Sequence, residues 1–254
     1  MDDNEIKKPP KSFYLLPNML TTLSMFLGFL SIVWAGQGKF EAAGLAILVS
    51  ALMDSLDGKV ARLTNTASEF GVQFDSLADL IAFGLAPALL LWNWQLSQLG
   101  RVGVGAAFIY AACGALRLAR FNITTATTGK RFFVGLPIPA AGCALVTFIF
   151  LAGTLPPSFS PLLPWVAFAL AVLAGLLMVS RVRYFSFKEY DFLRAHPVRV
   201  MVSFLFLLAL LISFPRGVGF LYALIYLASG PVYTWILLPR YNRQLSRAFS
   251  APDD

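Results

Sequence analysis

Apolar residues run along most of this chain in blocks of 17 to 24 positions, separated by short polar clusters. Each block approaches or exceeds the roughly 20 residues with which a helix crosses about 30 Å of hydrocarbon. The pattern predicts eight spans, at 17–36, 40–63, 71–94, 101–120, 137–154, 162–180, 198–214 and 216–238. The last two are separated only by the tight turn that Phe214, Pro215, Arg216 and Gly217 suggest. Period-two alternation is absent, which sets aside a membrane barrel. The expected fold is all-α: a polytopic membrane bundle of about eight helices in one domain over residues 1–254. Residues 1–16 form a polar N-terminal segment and 240–254 a tail. The opening MDDNEIKKPPKSFY holds two prolines and leads into a full-length span without a small-residue cleavage site, so a removable signal peptide is not expected.

Composition agrees with the pattern. Of 254 residues, 58% are hydrophobic and 13% charged, with a mean hydropathy of +0.72, whereas an ordinary soluble domain carries about 25% charged residues. With the N-terminus cytoplasmic, 17 of the 20 lysines and arginines fall in inside segments, leaving Lys39, Arg101 and Arg216 outside. The positive-inside rule therefore favours an even number of spans with both termini cytoplasmic. It also accounts for the net charge of +7 through topology and anionic lipid, with no call for nucleic acid. Cys113 and Cys143 have no ligand-like spacing and read as packing residues; His196, the sole histidine, falls in a polar loop and reads as a surface residue.

The acids break the pattern. Nine of thirteen lie in tails or loops, but Asp54, Asp57, Asp75 and Asp79 fall within 26 consecutive residues of the second and third spans. An aspartate at a helix centre costs about 2.5–3.5 kcal/mol on insertion scales, so intramembrane acids are functional candidates. At about 100° per residue, Asp54, Asp57, Gly58, Ala61 and Arg62 share one stripe while Lys59 points elsewhere and can snorkel. Gly71, Asp75 and Asp79 form a second stripe at i, i+4 and i+8. If the two helices run antiparallel across LTNTASEF, four carboxylates converge at the cytoplasmic headgroup level. Four like charges in low dielectric need compensation, of which protonation could supply some. Oxygen-only ligands at this density suit Mg²⁺ or Mn²⁺, and two ions would balance the charge. The small residues on the stripes read equally as helix packing and as room for a flat nucleotide. Arg62 can meet a phosphate or serve as a flanking residue at the interface.

Written out, residues 54–79 are DSLDGKVARLTNTASEFGVQFDSLAD. This resembles the signature of the CDP-alcohol phosphotransferases, DxxDGxxARx₈GxxxDxxxD, with every fixed position and spacing present. The resemblance implies metal-dependent transfer from a CDP-linked donor to an alcohol with release of CMP. It implies Asp54, Asp57 and Asp75 as metal ligands, with Asp79 near or on the second metal and also at the position of the general base. It further implies Asp54, Gly58, Ala61, Arg62 and Gly71 at the cytidine nucleotide, and a six-helix core to which two of the eight spans are additions. FYLLPNMLTTLSMFLGFLSI, LRLARFN and KRFFVGLPIPAAG are similar to the serine-accepting branch of that family. That branch implies CDP-diacylglycerol and L-serine as substrates, phosphatidylserine and CMP as products, a homodimer, and a bacterial cytoplasmic membrane. The C-terminal third offers only compatible hydrophobicity.

A zwitterionic acceptor needs a cation for its carboxylate. Arg117, Arg120, Lys130 and Arg131 lie near the opening of the signature, although topology alone accounts for half of them. Arg120 and Asn122 are the preferred acceptor-side residues. Asn18 either caps the first span or touches the site, with the cap favoured because Asn before an apolar run is a common helix start. Two alternatives stay open: the same chemistry with glycerol 3-phosphate, an inositol phosphate or choline as acceptor, and, outside the class, a cation transporter.

Overall fold

A reversal at residues 37–39 pairs the first two helices, α1 (Leu15–Gly36) and α2 (Phe40–Leu63). Gly38 has φ +75°, which lets its N–H reach the Ala35 carbonyl at 3.1 Å and that of Lys39 reach Trp34 at 2.9 Å. These two bonds form a Schellman turn, satisfying carbonyls that the end of α1 leaves open. The computed structural model describes residues 15–63, 68–127, 133–184 and 215–237. Within the hairpin, Ser24 and Ser50 are buried and bond each other, hydroxyl to hydroxyl at 2.8 Å and Ser50 Oγ to the Ser24 carbonyl at 3.0 Å. Hydroxyls bonded across two helices need no water and can sit in an apolar bundle.

The third helical stretch runs without a break through α3 (Glu69–Asp79), a π-helical segment at Leu80–Leu85, and α4 (Ala86–Trp94). The wide segment begins directly after Asp79. Pro87, in the first turn of α4, has no N–H to give back to the Phe83 carbonyl. The buried Tyr110 donates its hydroxyl to that carbonyl instead, at 2.8 Å. Gly28 of α1 lies so close to this segment that a Cβ there would stand 2.6 Å from the Ala82 Cα. Glycine is therefore required where α1 presses against the turn that carries Asp79.

The remaining helices are α5 (Arg101–Thr127), α6 (Ile138–Ala152), α7 (Leu163–Val179) and α8 (Pro215–Val232), the last continued by a π-helical turn at Tyr233–Leu237. A two-residue antiparallel pair joins the α5–α6 connection to the segment after α7: β1 (Phe133–Val134) against β2 (Arg183–Tyr184), with Phe133 opposite Tyr184. Gly135, at φ +84°, turns the chain from this pair into α6 and donates to the Val182 carbonyl at 2.8 Å. The buried Tyr184 in turn donates to the Leu227 carbonyl of α8 at 3.2 Å. At the opposite end, Arg216 of α8 meets Glu41 of α2 at 3.0 Å, so α8 begins on the face where α2 begins.

The core gathers around Phe83, Leu90, Leu91, Leu136, Ile138 and Leu145, all fully buried. Large apolar side chains such as Phe108 and Trp235 stand more than 70% exposed on the outside. Such a surface is insoluble in water and ordinary against lipid. Helices spanning Pro17–Gly36, Glu69–Trp94, Arg101–Ile123, Pro157–Val179 and Arg216–Trp235 are long and apolar enough to cross a membrane, and this is an integral membrane protein of helical class. The expected count of eight is not reached among the described residues. α2 has the length, but Asp54, Asp57, Lys59 and Arg62 dilute its apolar character; α6 is 15 residues long; and the expected span at 198–214 lies outside the described residues.

Candidate active site

The end of α2 and the start of α3 form one wall of the site. α3 starts at Glu69 rather than at residue 71, because Ser68 has extended φ, ψ of −122°, 153° and its hydroxyl accepts the Gly71 N–H at 3.0 Å. This N-cap satisfies a donor that the helix start leaves open. A Cβ on Gly71 would press against the Ser68 hydroxyl at 3.1 Å and stand 3.6 Å from Asn18 Oδ1. Asn18 thus faces Gly71 from within α1. The cap reading of Asn18 is corrected: helix already exists before it, and its carbonyl accepts the Thr22 hydroxyl at 2.7 Å.

On α2 the described part of the expected stripe, Asp54, Asp57 and Gly58, faces inward. Asp57 is 5% exposed and Asp54 and Gly58 are half-buried, while Ser55, Leu56 and Lys59 are exposed. The backbone of Ala61 and Arg62 continues the helix, but their side chains lie outside the described residues. One carboxylate oxygen from each of Asp54, Asp57 and Asp75 falls within 4.8 Å of the others. Asp75 Oδ1 is buried with no hydrogen-bond partner among the described residues. Asp57 Oδ2 accepts the hydroxyl of Thr21 on α1 at 2.8 Å, which aims the carboxylate. Asp79 lies one turn beyond Asp75, within hydrogen-bond reach of Asp54. Three converging carboxylates, one of which has a buried oxygen without a donor among the described residues, suit a hard divalent cation. The residues fit such an ion, which Asp54, Asp57 and Asp75 would hold.

α5 forms the facing wall. Arg117 is 8% exposed, its guanidinium carbon 5.9 Å from the Phe121 ring centroid and its charge within electrostatic reach of Asp79. Its Nε has no partner among the described residues. A buried guanidinium is costly unless compensated; Asp79 supplies an opposite charge within electrostatic reach, and the Nε donor is left for a further anion. Arg120 is engaged differently: it donates to the Val179 carbonyl at 2.7 Å and the Ser180 carbonyl at 3.5 Å, placing a cation on the C-terminus of α7. Asn122 donates to Gln73 Oε1 and to Ser76 Oγ, both at 3.1 Å, tying α5 to the helix that carries Asp75. Lys130, Arg131 and His196 lie outside the described residues.

Sequence reasoning missed Thr21. Its signal was present as a polar position three residues after Asn18 in an apolar span, one face of one helix. It also missed the neighbourhood of Cys143 on α6, which lies within electrostatic reach of Asp54. Cys113 and Cys143 are both free, and Cys113 packs beside Gly175 of α7, as expected for a small packing residue.

A membrane bundle with acids converging from two adjacent helices defines a class, and the sequence comparisons agree. The family model for CDP-alcohol phosphatidyltransferase matches residues 14–176, which include all four aspartates, and the chain belongs to this family. The CDP-diacylglycerol--serine O-phosphatidyltransferase of Helicobacter pylori (strain ATCC 700392 / 26695) is 38% identical over 237 residues, covering 91% of this chain and 94% of that protein. The protein of the same name from Methanocaldococcus jannaschii is 39% identical over 165 residues, 65% of this chain and 74% of its own length. An archaetidylserine synthase from Methanothermobacter thermautotrophicus is 39% identical over 150 residues, 58% of this chain and 61% of its own.

Proposed function

We propose that this chain transfers the phosphatidyl group of CDP-diacylglycerol to the hydroxyl of L-serine, giving phosphatidylserine and CMP. The observation that carries the reading is the convergence of Asp54, Asp57 and Asp75 within 4.8 Å, in a chain whose similarity to a serine O-phosphatidyltransferase extends over 91% of its length. Asp54, Asp57 and Asp75 hold Mg²⁺ or Mn²⁺, two ions with Asp79 as a further ligand. When bound, such ions neutralise a diphosphate and stabilise a leaving phosphate. Gly58, Ala61, Arg62 and Gly71 receive the cytidine nucleotide, the glycines by leaving bare backbone and Arg62 by its charge.

Asp79 accepts the proton of the serine hydroxyl. The serine oxygen forms its bond to the phosphorus linked to diacylglycerol, and the bond from that phosphorus to the CMP oxygen breaks with its electron pair on CMP. Arg117, within electrostatic reach of Asp79, offers its Nε, which has no partner among the described residues, to the serine carboxylate. Arg120 and Asn122 are positioning residues, the first through the end of α7 and the second through Ser76. Asn18 borders the nucleotide pocket at Gly71, and Lys130 and Arg131 draw anionic substrates to the opening. Eight spans, a six-helix core plus two, in a single domain over 1–254 fit the charge asymmetry. The same asymmetry favours a cytoplasmic site and cytoplasmic termini. A bacterial cytoplasmic membrane and a homodimer complete the reading by family likeness.

The test supplies purified protein in mixed micelles with CDP-diacylglycerol, MnCl₂ and labelled acceptors. CMP and a labelled lipid are expected with serine. CMP release with glycerol 3-phosphate but not with serine would overturn the choice of acceptor, and metal flux across proteoliposomes without any CMP would overturn the reaction class.

A further inference from the structure

Between α6 and α8 lies a partly open cavity of about 560 Å³, within the usual range for a small-molecule site. Its lining includes Cys143 and Thr147 from α6 and Gly219, Ala223 and Tyr226 from α8. The Thr147 hydroxyl donates to the Ala144 carbonyl at 3.0 Å, and its methyl is the group nearest to Gly219. The lining is therefore apolar even where the residue type is not. One end of the cavity meets the site: Cys143 is within electrostatic reach of Asp54, and Tyr226 within reach of Arg117. From Tyr226 to Gly219, α8 descends about 10 Å at 1.5 Å per residue. α8 lies beyond the residues matched by the family model, so one wall of this cavity comes from the C-terminal part of the chain.

We infer that this cavity holds one acyl chain of the lipid donor, and that Gly219 and Thr147, at the end remote from the carboxylates, set the chain length it accepts. The inference rests on the reading of the donor as a CDP-linked diacylglycerol. A donor whose diphosphate sits on Asp54, Asp57 and Asp75 must carry its chains away from that cluster through apolar space, and this cavity is lined by Cys143, which lies within electrostatic reach of Asp54. The bilayer is already apolar, so a chain gains little hydrophobic free energy by entering. The cavity acts through shape, by registering the glycerol end of the donor against the carboxylates. Gly219 leaves the far end open, because a Cβ there would already touch the Thr147 methyl at 3.4 Å and anything larger would close it.

The experiment compares dioctanoyl and dioleoyl CDP-diacylglycerol as donors for the full chain, with MnCl₂ and L-serine, following CMP. In Gly219→Phe the ratio of kcat/KM for the short over the long donor is expected to rise about tenfold, the size of an overpacked contact. Thr147→Leu is expected to shift the ratio the same way and serves if the first variant does not fold. An unchanged ratio in folded variants would overturn the inference. A CDP-diacylglycerol with a diazirine at the end of one chain gives a second readout: labelling of α6 and α8 peptides, competed by unlabelled donor. Labelling confined to other helices would overturn it. So would a disulfide from Gly219→Cys to a cysteine placed within residues 198–214 or in a second copy. Wild-type protein that releases no CMP from either donor overturns the proposed reaction instead, and the photolabel still reports on the cavity.

Discussion

The two walls of the site hold their charges in opposite ways. On α2 and α3, Asp54, Asp57 and Asp75 converge on one another, and Asp57 takes hydrogen bonds from the Thr21 hydroxyl of α1 and the Gly58 backbone of its own helix. On α5, Arg117 lies within electrostatic reach of Asp79 and 5.9 Å from the centre of the Phe121 ring. The like charges of the first wall call for compensation that bound cations would supply; the second wall sets an opposite charge near Asp79 within the protein. Deleting a group from the first should therefore remove the metal, whereas deleting one from the second should leave the metal and disturb what faces it.

The largest effect expected is from Asp57→Ala. CMP release falls to background, and Mn²⁺ affinity, followed by calorimetry, drops by more than the about 10- to 100-fold that an outer-shell partner costs. Near-normal turnover would break the contrast at its root. Asp79→Asn comes next, since Asp79 belongs to both walls. Turnover is expected to fall by about 10²- to 10⁴-fold, the usual contribution of a general base, with CDP-diacylglycerol binding held within a few-fold. Equal losses in binding and turnover would make Asp79 a ligand only.

The walls also differ in how far the sequence foretells them. The aspartates stand at spacings that an α-helix converts directly into faces, so Asp54, Asp57 and Gly58 turning inward with Lys59 outward follows from about 100° per residue. The guanidiniums cannot be sorted that way. Arg117 and Arg120 are three residues apart on one helix and share most of a face, yet one is buried beside Asp79 while the other reaches the end of α7. That division depends on where α7 stops, at Ser180, which only packing decides. The helices at 17–36, 40–63 and 101–120 were legible from hydropathy, and the α3 start shifted because Ser68 caps it. The π-helical segment after Asp79 was not legible, since it arises from Pro87, Tyr110 and the close approach of Gly28 together.

Arg117→Gln and Arg120→Gln sharpen the second wall. The first is expected to raise the KM for serine by about 10- to 100-fold, as for truncation of one partner of a buried charge pair, with kcat changed less. The second is expected to leave KM alone and to lower stability by about 0.3–1 kcal/mol, the worth of a cation at a helix C-terminus, read as a shift in thermal unfolding. If Arg120→Gln instead raises the serine KM as steeply as Arg117→Gln, the acceptor lies at the α7 end of the site.

Thr21→Val carries the smallest effect and isolates the donor that α1 supplies to the carboxylate wall. Valine matches threonine in shape, so α1 keeps its packing and loses the hydroxyl's 2.8 Å bond to Asp57 Oδ2 together with its 3.1 Å contact to the Pro17 carbonyl one turn back. A hydrogen bond to a charged group is worth about 1.5–3 kcal/mol, but a bound cation also orients Asp57 and recovers part of that. The expected result is a weakening of Mn²⁺ affinity by about tenfold, within the outer-shell range, and full turnover restored by excess metal. Restoration separates the two kinds of support, because excess metal cannot replace the oxygen that Asp57→Ala removes. A Thr21→Val protein with unchanged Mn²⁺ affinity would mean that the cation alone aims Asp57, and that α1 contributes to this wall by packing against it rather than by its hydroxyl.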